Sequence, residues 1–226
     1  MKKIIAIMSA LLIMIQVAPA QNDRKMDIYF NSGLSIPGVR NGGYFYDSWK
    51  PGIDFGGGVG LNLNNTTSFT MIIEYNRFEF DEKGFLSSRI QGYPPSIHGN
   101  ASTIVSLSTN IKVFLTHDRF SLSPYFCGGV YYAYEKMSDV TVNPSSTSPF
   151  PLSLSTDDRP AEMLATGGYF IRGEEGSSSM IQMGAGFDIP AGDNINLFVE
   201  ARYGILLSRS SNYYHSPFRF GARIAL

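Results

Sequence analysis

Apolar and polar residues alternate one by one through most of this chain. Between residues 27 and 36, Ile28, Phe30, Leu34 and Ile36 fall on one face, and Asp27, Tyr29, Asn31 and Ser35 on the other. A period of two is the mark of a strand, because successive side chains of a strand point to opposite faces. The alternation returns at 53–63, 69–76, 105–115, 122–135, 181–189, 195–205 and 218–226. These eight runs predict eight strands, each roughly ten residues long. Helical periodicity is scarce.

The connections follow a rhythm of their own. A long segment (38–52) is followed by the tight turn Asn64-Asn65-Thr66, then by a long segment (79–100) and a short one (116–120). The longest segment (136–178) precedes another short turn (190–193) and a medium connection (207–217). Long and short links in strict alternation predict an up-and-down meander with every tight turn at one end. The longest link is rich in Ser, Thr and Pro, and suits either an external loop without fixed structure or a surface for partner contact.

The two faces of the strands differ in kind. One carries Ile, Leu, Val, Phe, Met and Tyr almost without interruption and no charge in the runs above. The other is often small: Gly56, Gly58, Gly60, Ser106, Ser108, Gly129, Gly184, Gly186 and Gly221. Glycine weakens a solvated strand, but inside a narrow barrel small residues make room for large ones. An apolar exterior suits lipid, and closing the sheet satisfies every backbone group there. The fold class expected is therefore all-β, an antiparallel up-and-down transmembrane β-barrel of about eight strands.

The charges of the runs fall on the inward face: Asp27, Asp54, Glu74, Lys112, Glu135, Asp188, Glu200, Arg202, Arg219 and Arg223. Unpaired buried charge is expensive, so these residues are expected to form a paired network in the lumen. A lumen plugged by its own side chains is expected rather than an open pore.

Composition narrows the reading. The 226 residues suit one domain, and charged residues make up only 16%, well below the quarter usual in soluble domains. With 18 basic and 19 acidic residues, nothing favours a nucleic-acid partner. Cys127 is the single cysteine, which excludes a disulfide framework. Residues 1–20 read as a signal peptide: Lys2 and Lys3 precede an apolar stretch, and Ala18-Pro19-Ala20 forms a cleavage site. Residues 21–226 are then the barrel, exported and placed in the bacterial outer membrane.

The glycine-rich strand "IDFGGGVGLNL", the strand "SPYFCGGVYY", the penultimate "LFVEARYGI" and the terminal "FRFGARIAL" carry a family resemblance. The chain resembles the outer-membrane-protein β-barrel family, the small porin-like and OmpX-like eight-stranded barrels of Gram-negative bacteria. The resemblance spans the mature chain through repeated strand patterns. It implies outer-membrane lipid and the barrel-insertion machinery as partners. Leu226 stands where members of that family end in an aromatic residue.

Candidate chemistry is sparse, and no catalytic residue, cofactor or metal site is expected. His98, His117 and His215 lie in separate connections. The Gly56–Gly60 run lacks the lysine and the following helix of a phosphate-binding loop. Aromatic residues gather in the long links: Tyr44, Tyr46, Trp49, Phe150, Tyr169 and Phe170. They suit either a contact surface for an extracellular or protein partner, or an interfacial girdle. The function expected is non-enzymatic, a structural or surface-interaction role through the long loops. The alternatives are a narrow channel, a lipid-modifying enzyme using Ser211, His215 and Ser216, and an accessory part of a secretion or adhesion system.

Overall fold

The computed structural model describes residues 26–39, 49–83, 96–116, 122–136, 138–143, 162–163, 169–171, 175–206 and 213–226. In chain order the strands are β1 (Met26–Val39), β2 (Gly52–Asn62), β3 (Thr67–Phe78), β4 (Ser96–Gly99), β5 (Ser102–Phe114) and β6 (Ser123–Lys136). Then come β7 (Val140–Asn143), β8 (Glu162–Met163), β9 (Tyr169–Ile171), β10 (Glu175–Pro190), β11 (Ile195–Leu206) and β12 (Tyr213–Ala225). Among the described residues no helix is long and apolar enough to cross a membrane.

Eight of the strands close into an antiparallel barrel in the order β1-β12-β11-β10-β6-β5-β3-β2. They correspond to the eight alternating runs. Each strand pairs with the next barrel strand along the chain, and β1 pairs with β12 to close the ring, so the topology is up-and-down. The pairing register fixes the stagger. Followed once around the ring, the pairs run Lys136, Thr103, Arg77, Ile53, Leu34, Phe218, Ala201, Ala185 and back to Phe126. The return falls ten residues below its start on β6, and over eight strands this stagger tilts the strands by about 40°.

The tight turns sit at one end. Between β2 and β3 the Asn64 side chain accepts hydrogen bonds from the backbone N–H of Thr66 (2.9 Å) and Thr67 (2.8 Å). This local capture by an Asn side chain reverses the chain in a few residues. A similar reversal joins β10 to β11, where Ala191 N–H donates to Ile195 C=O at 2.9 Å.

Burial is inverted relative to a soluble protein. Phe30, Leu34, Ile73, Phe126, Val130, Met183 and Phe220 stand on the outside, while Asp54, Glu74, Lys112, Glu200 and Arg219 are within 1% of complete burial. Sequence parity dictates this, since odd and even positions of each strand face opposite ways. The inward glycines make space for inward rings. A Cβ on Gly60 would stand 2.6 Å from the Tyr29 ring, one on Gly186 2.6 Å from the Tyr125 hydroxyl, and one on Gly221 2.6 Å from the Phe198 ring. Each contact lies well inside van der Waals distance, so ring and glycine form complementary pairs across neighbouring strands.

The long links are not wholly without structure. Strands β4, β7, β9 and β8 form a second sheet in that order, β7, β8 and β9 all coming from this segment. Ile97 of β4 and Val140 of β7 are buried, and just before β7 the Ser138 N–H donates to the Ser102 hydroxyl of β5 at 3.1 Å. Trp49 departs from expectation. It is buried rather than open, bridged to Phe80 and packed edge-on against its ring at 5.4 Å. The cause is β3's inward face: Phe78 and Phe80 continue the alternation past the end of the strand and offer an apolar seat at the barrel mouth.

Candidate functional site

All ten inward charges lie in the lumen, and nine of them form two clusters. The larger is centred on Arg219 of β12. Its guanidinium faces Glu74 of β3 at 2.7 Å, Asp54 of β2 at 3.4 Å and Glu200 of β11 at 3.7 Å. Glu200 also pairs with Lys112 of β5 at 3.2 Å and with Arg202, its neighbour on the same face. Asn31 of β1 donates to Asp54 at 3.2 Å, and Tyr125 of β6 donates to Glu200 at 3.0 Å. Three cations meet three carboxylates, so this layer is neutral. It draws on β1, β2, β3, β5, β6, β11 and β12, and links opposite walls of the barrel.

The Lys112 ammonium is enclosed by more than carboxylate. It lies 4.4 Å from the Tyr125 ring centre, 4.8 Å from that of Phe198 and 5.0 Å from that of Tyr29. Three π faces attract the cation and exclude water from it. The same rings need the inward glycines, so the glycine pattern and the charge layer are one construction.

The second cluster lies nearer the tight turns. Arg223 pairs with Asp188 at 2.9 Å and Asp27 at 3.2 Å, and Asn62 donates to Asp27 at 3.1 Å. A cavity of about 10 Å³ beside Arg223, Phe114 and Asn196 has room for a single water. Glu135 is the tenth charge and stands apart from both clusters, taking a hydrogen bond from Ser178. It borders a second cavity of about 10 Å³ at the long-loop mouth, lined also by Trp49, Phe78 and Ile104.

Of the loop aromatics, Tyr44, Tyr46 and Phe150 lie outside the described residues. Tyr169 and Phe170 belong to β9, where their backbones face Val142 and Thr141 of β7. His98 faces Glu82 at 3.4 Å, and His117 lies outside the described residues. Among the described residues no three His, Cys, Asp or Glu side chains are grouped to hold a metal ion.

One feature escaped the sequence reading. Above the apolar band on the long-loop side, Lys136 of β6 pairs with Glu175 of β10 at 2.9 Å, and the Tyr134 hydroxyl donates to Glu175 at 2.6 Å. These residues end their strands on the outward face, a position readable only once the strand register is known.

Around a cross-linked, charged interior the barrel presents a largely apolar exterior, which is the arrangement of a membrane-spanning sheet. Its fold is similar to that of Ail, the attachment invasion locus protein of Yersinia pestis, at 12% identity over 90% of this chain and 99% of Ail, with a TM-score of 0.49. It is also similar to the N-terminal barrel domain of Pseudomonas aeruginosa OprF, at 11% identity over 90% and 100% of the two chains and a TM-score of 0.47. The outer membrane protein OprG of Pseudomonas aeruginosa is 8% identical over 90% and 97%, with a TM-score of 0.46. These neighbours are small outer-membrane β-barrels. The likeness is one of barrel architecture. No family model matches the sequence, and no curated protein is similar to it.

Proposed function

We propose that this chain is a non-enzymatic outer-membrane barrel that anchors a folded extracellular surface for contact with a partner. The observation that carries this reading is the division of labour between the two sheets. The barrel lumen is spanned by the layer of Lys112, Glu200, Arg202, Arg219, Asp54 and Glu74, each of them buried. A layer with matched charges from facing walls favours a rigid plug over a path for solutes. The long links instead build a sheet of their own, while Trp49 packs on Phe80 beside the mouth and Ser138 bonds to Ser102 of β5. Loops held by a rigid scaffold are where binding function concentrates. Export by the leader at 1–20, insertion by the barrel-assembly machinery and a shell of outer-membrane lipid complete the reading.

Two measurements test it together. Outer-membrane fractions run on a denaturing gel should show a faster band when unboiled than when boiled. Ser96→Cys, at the start of β4, should react with a membrane-impermeant maleimide on intact cells, while the buried Cys127 should not. A soluble periplasmic protein would sink the membrane placement. A membrane-bound protein whose residue 96 is shielded in intact cells would sink the outward-facing loops.

A further inference from the structure

The outward faces of the barrel strands carry almost no charge. Among the described barrel side chains that point away from the lumen, charge occurs at three positions: Arg77 on β3, Lys136 on β6 and Glu175 on β10. All three stand at the long-loop end. The register places them in one row across four adjacent strands, Arg77 beside Thr103, Thr103 beside Lys136, and Lys136 beside Glu175.

The rows beneath show where the membrane begins. One step toward the barrel waist the row reads Tyr75, Val105, Tyr134 and Ser177, and the next reads Ile73, Leu107, Tyr132 and Ser179. Tyr75, Tyr132 and Tyr134 are exposed on the outer surface. Outward tyrosines mark headgroup depth, so the charged row meets the polar part of the leaflet. An outward Arg near the interface costs about 0–1 kcal/mol, against about 2–4 kcal/mol at mid-depth.

The row is not balanced within itself. Two cations stand against one carboxylate, and Glu175 is held by Lys136 and by the Tyr134 hydroxyl. Arg77 has Ile53 on one side and Thr103 on the other, with no carboxylate opposite it in the row. Its planar guanidinium suits bidentate contact with a phosphate. Arg77 and Lys136 are two strand spacings apart, about 10 Å between their backbones. A headgroup with two phosphates satisfies both cations at once. The hydroxyls of Thr103, Ser177 and Ser179, gathered in and just below this row, offer hydrogen bonds to sugar.

We propose that this wall of the barrel, β3-β5-β6-β10, binds a phosphorylated glycolipid of the leaflet on the long-loop side. Arg77 and Lys136 grip its phosphates, Thr103 and Ser177 meet its sugar hydroxyls, and Tyr75, Tyr132 and Tyr134 flank its upper chains. The inference rests on the outer-membrane placement proposed above.

The test uses the purified full-length barrel in detergent, with bisphosphorylated lipid A as the probe and phosphatidylglycerol as the comparison, read by native mass spectrometry. The wild type should bind lipid A more tightly than phosphatidylglycerol. The double variant Arg77→Gln, Lys136→Gln should lose lipid A binding by about tenfold or more. Glu175→Gln should bind at least as tightly as wild type, since it removes the opposing charge. Equal affinity in wild type and double variant would overturn the proposal, and so would equal affinity of the wild type for the two lipids. The boiled and unboiled gel bands of the same samples keep the questions apart. A barrel that shows its band shift but ignores lipid A contradicts this wall alone, whereas a wild type without the shift contradicts the membrane placement beneath it.

Discussion

Arg219 and Glu74 meet at 2.7 Å in the barrel interior, although 145 residues separate them in the chain. Arg219 is also the cation that faces Asp54. Replacing it with Met should leave both carboxylates buried without their counter-charge. The expected loss of stability is about 3–5 kcal/mol, measured by urea unfolding in lipid vesicles. Adding Glu74→Gln to Arg219→Met should restore part of that loss. A single variant as stable as wild type would show that the charge layer does not hold the walls together.

The inverted burial makes a second demand. Val130 of β6 stands 56% exposed on the outer face near the middle of its strand. Val130→Arg should cost about 2–4 kcal/mol in a bilayer, because hydrocarbon cannot solvate the guanidinium. The same substitution in a soluble barrel surface would be nearly neutral. Equilibrium unfolding from vesicles separates the two cases.

Trp49 seats the long-loop end on the barrel. Trp49→Ala should remove its edge-on contact with Phe80 and open a cavity beside Phe78 and Ile104, at a cost of about 3 kcal/mol if the site cannot collapse. The loss should be local. Proteolysis of the long links should accelerate while the boiled-gel band shift persists, and unchanged cleavage would mean that the sheet is held by other contacts.

Much of this architecture is legible in the sequence because a barrel strand writes its two environments in alternate letters. The run from Ile53 to Leu63 shows lipid side and lumen side without any knowledge of its neighbours. The ten inward charges are legible for the same reason, but their partners are not. That Arg219 reaches Glu74 and Asp54 follows from the ten-residue stagger, which no single strand encodes. Strands β4, β7, β8 and β9 have two to four residues each, too few for a period to declare itself. Trp49 reads as a loop aromatic until Phe80, across the intervening β2 and β3, is seen to receive it.

The seam between β1 and β12 joins the two ends of the chain, and Asp27 finds Arg223 across 196 residues. Without the β1–β12 pairing the sheet has two raw edges, so this one ladder turns an open meander into a ring. The converse holds for dismantling. Tension applied between the termini loads the β1–β12 ladder directly, and the barrel opens there like a zipper, one paired step at a time, with the Arg223 cluster as its first catch.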